Sequence, residues 1–143
     1  MTVTKIVTKI TPAQARRIEK AVDSVPYAHL LGIELDDISK GAATLGLDVR
    51  KELTQNHGVV HGGAIASLID TAMAFAIISL LAPREKVTTV DLTISYLRPL
   101  TTGRITAVAK VVRSGRRLFV VSADVFGDDG KLATTALSTY IKL

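Results

Sequence analysis

Between His61 and Ala82 the only formal charge is the carboxylate of Asp70. A buried charge is costly unless it is paired or put to use, so this residue calls for a purpose. On a helix its face would hold Gly63, Ala66, Ser67, Met73 and Ala74, three, four and seven positions away. Most of these are small, which leaves room for another backbone, another subunit or a ligand. A tight helix contact with Asp70 paired to a basic group would use the same pattern, and spacing alone leaves the two readings level. The loop ahead tips the balance. Gln55-Asn56-His57-Gly58 and His61-Gly62-Gly63 put amides, imidazoles and bare backbone at the start of the run. A helix N-terminus offers unsatisfied N–H groups and partial positive charge, which suits an oxyanion. Glycine lets a substrate carbonyl approach that backbone unobstructed. An oxyanion site with a carboxylate about two turns further on points to acyl chemistry.

Other chemistries fit less well. GAIASLID contains no G-x-S-x-G elbow, and Ser67 would project from a helix rather than a strained turn, which argues against Ser-His-Asp hydrolysis. His57 and His61 are four apart and with Asp70 could in principle hold a metal. However, Gly58-Val59-Val60 lacks the glutamate of H-E-x-x-H and reads as a loop, so no metal is expected.

The elements that position these residues can be read from periodicity. Thr11-Pro12-Ala13-Gln14 is a helix start with a capping box, and Ile18, Ala21, Val22 and Val25 follow at helical spacing until Pro26. Strand-like pieces follow at Ile33–Ile38 and Ala43–Val49. Val90, Leu92, Ile94 and Tyr96 alternate with polar residues, as do Ile105, Ala107, Ala109 and Val111, then Phe119, Val121, Ala123 and Val125. A last strand runs from Leu132 to Ile141. Arg113-Ser114-Gly115-Arg116 and Gly127–Gly130 are hairpin connections, so their flanking strands should pair antiparallel. The run Gly62–Leu81 is long enough to span a bilayer, but Asp70 at its centre costs about 3 kcal/mol there. A helix apolar nearly all round must then be enclosed, and a curved antiparallel sheet would enclose it. The expected fold is α+β, one domain over residues 1–143 with residues 1–26 as an N-terminal strand and helix extension.

Composition narrows the partners. Lys and Arg outnumber Asp and Glu by 18 to 13, which favours an anionic ligand. Aromatics make up only 4% with no Trp, too few for stacking on single-stranded nucleic acid. A small phosphorylated ligand suits the balance better. There is no cysteine, and MTVTKIVTKI has no continuous apolar segment, so a cytoplasmic protein is expected, with no membrane and no nucleic-acid partner.

TQNHGVVHGGAIASLIDTAMAFA, followed by TTVDLTISYLRPLTTGRITAVAKVVRSGRRLFVVSADVF, resembles the phenylacetate-degradation (PaaI-like) type of hotdog-fold acyl-CoA thioesterases. The resemblance runs from about Tyr27 to the C-terminus. Its most specific part is H-G-G followed by an acid mid-helix, supported by L-R-P and S-G-R. It implies a hotdog fold, a long central helix wrapped by an antiparallel sheet. It implies Asp70 as general base or nucleophile toward a thioester carbonyl, and Gly62 as the backbone N–H that polarises that carbonyl. His61 would support the loop, and Gln55 or the adjacent Asn56 would supply an amide that orients water or substrate. Thr89 matches a position where related enzymes place a hydroxyl near the attacking water; an ordinary strand threonine would look the same. The resemblance further implies active sites shared between two protomers, hence a homodimer at least and commonly a tetramer.

Coenzyme A enters as part of the substrate, with no separate cofactor. Arg113, Arg116 and Arg117 around Ser114-Gly115, with Arg98 and Gly63, are candidates to meet it. Two other classes use the same scaffold: a non-catalytic acyl-CoA-binding module and a dehydratase working through His61 and Asp70. Leu30, Leu31, Met73, Phe75 and Ile77 are candidates for either an acyl pocket or plain core.

Overall fold

Thr11 opens the first element as its type and spacing predict. In the computed structural model, which describes residues 9–143, its hydroxyl accepts from the Gln14 N–H at 3.2 Å. The Gln14 side chain in turn accepts from the Thr11 N–H at 2.9 Å. This reciprocal cap starts α1 (Pro12–Asp23), which turns Ile18 and Val22 into the core. The strand expected ahead of α1 falls on residues outside those described. Pro26 does more than stop a helix. It is the first residue of a second one, α2 (Pro26–Leu31), where its missing N–H is no loss. Gly32, with φ of 77°, closes α2 in the left-handed conformation.

The remaining elements are β1 (Ile33–Ser39), β2 (Ala42–Asp48), α3 (Gly62–Ile78), β3 (Val87–Tyr96), β4 (Arg104–Ser114), β5 (Leu118–Phe126) and β6 (Leu132–Lys142). The six strands form one sheet in the order β1-β2-β4-β5-β6-β3, and every neighbouring pair is antiparallel. Both expected hairpins, β4–β5 and β5–β6, are present.

α3 packs against strands at both sides of this sheet, from β1 and β2 through β4 and β5 to β3. Six strands at about 4.8 Å spacing make a sheet about 24 Å wide, twice the diameter of a helix. Contact with both sides therefore requires the sheet to curl around α3. This is the hotdog arrangement expected from the sequence. α3 buries Ile65, Leu68, Ile69, Ala72, Met73, Phe75, Ala76 and Ile77 against Leu45 and Leu47 of β2, Ile105 and Ala107 of β4 and Val121 and Val125 of β5. Met73, Phe75, Ile77 and Leu31 are thus core residues, while Leu30 stands 67% exposed. α3 has 17 residues, ending before Leu81, and among the described residues no helix is long and apolar enough to cross a membrane.

Alternation in β3 breaks at one place. Leu92 pairs with Ser138 and Ile94 with Ala136, both facing α3, but the register slips between Thr89 and Asp91. Val90 is the extra residue of this bulge and is 57% exposed, whereas strict alternation would have turned it inward. The slip pairs Thr89 with Tyr140 and so turns Thr89 toward the helix. Asp91 holds the bulge: its carboxylate accepts the Thr139 N–H at 2.8 Å, and its carbonyl accepts the Ser138 hydroxyl at 2.5 Å.

Candidate active site

Asp70 lies half-buried on a stripe along α3 that the sheet leaves partly uncovered, with Ala66, Ser67, Thr71 and Ala74 beside it. Met73 is excluded from that stripe, being wholly buried. The carboxylate forms no ion pair among the described residues. Two hydroxyls hold it instead. Thr89 Oγ1 donates to Asp70 Oδ1 at 2.8 Å, and the Tyr140 hydroxyl donates to the same oxygen at 2.5 Å while lying 2.8 Å from the Asp70 backbone oxygen. Thr89 and Tyr140 are direct cross-strand partners on β3 and β6, so one register position delivers both. Burial, then the hydrogen bond and charge of Asp70, push the Tyr140 hydroxyl far above the ordinary tyrosine range, so it remains a donor.

The start of α3 is built from H-G-G. His61 is the N-cap, and its Nδ1 accepts the Gly63 N–H at 2.8 Å. A Cβ at Gly63 would lie 2.9 Å from that nitrogen and would push the His61 ring aside, and one at Gly62 would lie 3.2 Å from the Tyr96 ring, so both positions are crowded for any larger residue. The His61 N–H donates to the Leu53 carbonyl, and the Tyr96 hydroxyl donates to the Gly62 carbonyl at 2.7 Å. The Gly62 N–H has no acceptor among the described residues, and it points out of the positive end of the helix. A cleft of about 290 Å³ opens there, lined by Gln55, Val60, Gly62, Ile65, Tyr96 and Leu97 among others. Gln55 reaches it from a turn closed by the Gly58 N–H on the Gln55 carbonyl; Asn56 is exposed and does not line it.

The two halves do not meet within one chain. Asp70 is eight residues along α3 from Gly62, about 12 Å of helix, and it does not line the cleft. β3 runs beside both, with Tyr96 touching Gly62 at one end and Thr89 touching Asp70 at the other. His57, His61 and Asp70 do not converge on a point, and no group of three potential metal ligands is found among the described residues. Ser67 is bound to the Gly63 carbonyl and the Tyr27 hydroxyl, not to a histidine.

The arginines divide. Arg98 is engaged by Asp129 through two contacts of 3.0 Å and by the Lys131 carbonyl, which ties it to the β5–β6 turn. Arg113, Arg116 and Arg117 are exposed and have no ion pair among the described residues. With Ser114 and Gly115 they sit at the β4–β5 hairpin. The pairing Ser114–Phe119–Tyr140–Thr89 runs straight across four strands, so this hairpin lies at the same end of the sheet as Asp70. A larger cleft of about 660 Å³, between α1 and β1, contains none of the residues discussed so far as acyl chemistry.

Tyr140 and Tyr96 escape a reading of motifs. Tyr140 leaves one signal, a bulky phenol following Ala136 and Ser138 on the inward phase of β6, where a hydroxyl must find a partner. Taken together, the site offers a carboxyl group oriented by two hydroxyl donors and a backbone N–H without an acceptor among the described residues, the parts needed to attack an acyl carbonyl.

Comparison with known proteins agrees. A sequence-family model described as the thioesterase superfamily matches residues 57–134. The medium/long-chain acyl-CoA thioesterase YigI of Salmonella typhimurium is 28% identical over 149 residues, covering 92% of this chain and 96% of that protein. A thioesterase of Haemophilus influenzae superposes with a TM-score of 0.85 at 25% identity, over 96% of this chain and 95% of that one. The PaaI protein of the Escherichia coli phenylacetic acid degradation operon gives a TM-score of 0.85 at 24% identity, over 91% and 93%, a likeness of fold alone.

Proposed function

The chain belongs to the thioesterase superfamily and is a thioester hydrolase, and from that premise we propose that it cleaves an aryl- or medium-chain acyl-CoA to the free acid and CoA. The observation that carries the reading is Asp70: a carboxylate without an ion pair among the described residues, held by two hydroxyls on the open stripe of α3. The carbonyl oxygen rests on the Gly62 N–H, where developing negative charge meets the positive helix end. Asp70 either deprotonates water as it adds to the carbonyl carbon or adds to that carbon itself, with water then cleaving the acyl-aspartate. In both modes the C–S bond breaks and the CoA sulfur leaves as thiolate. Gln55, which lines the cleft at Gly62 where Asn56 does not, orients the substrate or water.

The site is assembled from two protomers, Asp70 and Thr89 from one and Gln55, His61 and Gly62 from its partner. The separation of the halves along α3 supports this, since neither half can act alone at about 12 Å. The minimal unit is then a homodimer, with a tetramer as a further assembly. The hairpin carrying Arg113, Ser114, Gly115 and Arg116 receives the CoA phosphates, and its place at the Asp70 end of the sheet supports that role. We place the reaction in the cytoplasm and assign the substrate to the phenylacetate-degradation type on the H-G-G…Asp pattern.

Release of free thiol from a panel of acyl-CoAs tests the activity, and no release from any member would overturn it. Sharing of the site is tested by coexpressing Asp70→Asn with Gln55→Ala. Mixed dimers contain one intact site, so activity should return to about a quarter of wild type. Activity staying at the level of the single variants would refute the shared site.

A further inference from the structure

We propose that Tyr140 is a positioning residue that, with Thr89, locks the Asp70 carboxylate so that Oδ2 alone is the reacting oxygen. This rests on Asp70 being the reacting acid. Both hydroxyls converge on Oδ1, at 2.5 and 2.8 Å. Oδ2 accepts no hydrogen bond from the described residues. Asp70 is half-exposed, and among the described residues Oδ2 is not one of the buried side-chain oxygens left without a partner, so solvent reaches it.

The two oxygens of a carboxylate are equivalent until their surroundings distinguish them, and the terminal torsion of aspartate is broad and nearly two-fold. On a half-exposed helix face that torsion would sample many orientations. Tyr140 removes this freedom because its own ring cannot move. It is 2% exposed, stands between Phe119 and Thr89 across the sheet, and its hydroxyl also touches the Asp70 backbone oxygen. The second contact sets the phenol against the helix, and the first sets the carboxylate against the phenol. A neutral donor does this without cancelling the negative charge, whereas an arginine in its place would hold the acid as an ion pair. Lone pairs on Oδ2 then face the open stripe, where a water or acyl carbon would approach.

A buried tyrosine needs a partner for its hydroxyl in any case, and the Asp70 backbone oxygen would satisfy it. Kinetics separate packing from positioning. Tyr140→Phe keeps the ring and removes the donor. On the acyl-CoA that the wild type turns over fastest, it should lower kcat roughly ten- to a hundredfold with KM nearly unchanged. A variant with unchanged kcat, whatever its Tm, would overturn the proposal. Should Tyr140→Phe not fold, the Thr89 pair decides: Thr89→Val should lose kcat at constant KM, and Thr89→Ser should recover most of that loss. Equal kcat for the two would equally overturn it. The underlying reading fails separately, through an Asp70→Asn variant that still turns over; an inactive Asp70→Asn beside an undiminished Tyr140→Phe sinks the positioning role alone.

Discussion

Asp129 and Asp70 keep opposite company. Asp129, on the β5–β6 turn, is clamped by the Arg98 guanidinium at two points of 3.0 Å and accepts the Lys131 N–H as well. Asp36 is treated the same way by Arg104, which also gathers Glu34 and Asp48 and so ties β1, β2 and β4 together. Among the described residues Asp70 meets no cation, only two alcohols on one of its oxygens. A guanidinium neutralises a carboxylate and occupies both oxygens. Hydroxyls orient it and leave its charge and one oxygen available. A basic partner was the alternative that α3's small-residue pattern allowed for Asp70, and the chain spends its arginines elsewhere.

That contrast can be broken experimentally, most severely at Asp70 itself. Asp70→Asn keeps an oxygen for Thr89 and Tyr140 but has neither charge nor basicity, so turnover should fall about a thousandfold or more while size-exclusion profile and Tm stay near wild type. Wild-type turnover in this variant would place the chemistry elsewhere. Asp91 comes next. Asp91→Ala removes the carboxylate that holds the β3 bulge on Thr139, loosening the turn of Thr89 toward α3, and kcat should drop roughly tenfold with little change in KM. A variant as fast as wild type would mean that the bulge persists without its clamp.

Asp129→Asn tests the other side of the comparison. It should cost a little Tm and change kcat far less than Asp70→Asn does; because Arg98 also lines the cleft at Gly62, a large kinetic effect would show that its clamp shapes that cleft. The smallest effect concerns pH. The hydrogen bond from Arg98, then that from the Lys131 backbone, holds the Asp129 carboxyl below its ordinary value. A lowered folded-state value means stability present above the ordinary carboxylate range and lost as pH falls through the lowered one. Below about pH 4 the wild-type Tm should therefore fall more steeply than that of Asp129→Asn. Parallel curves would show the ion pair to be thermodynamically idle, as many exposed pairs are.

Much of this was legible from residue order. The capping box at Thr11, the apolar central helix, both hairpins and the inward phases of β4 and β5 follow from spacing. H-G-G and the lone acid mark the two halves of the candidate site by residue type alone. Other features stayed hidden for identifiable reasons. α2 is too short for a helical period, and Pro26 signals a stop as readily as a start. The arginines all look alike in sequence, because whether one meets an aspartate depends on a turn thirty residues away. Tyr140 lies seventy residues from Asp70, and no local pattern connects them.

Thr89 marks where one kind of information ends and the other begins. Residue types and periods determined the α+β fold, the buried helix and the identity of the acid, because burial and periodicity are local consequences of side-chain chemistry. Strict alternation also assigns Val90 to the face toward α3 and Thr89 to the face away from it. Only pairing with β6 decided otherwise, since inserting one unpaired residue into a strand of period two exchanges its faces. The lone acid of α3 was therefore written in the chain, and the donors that hold it were set by register.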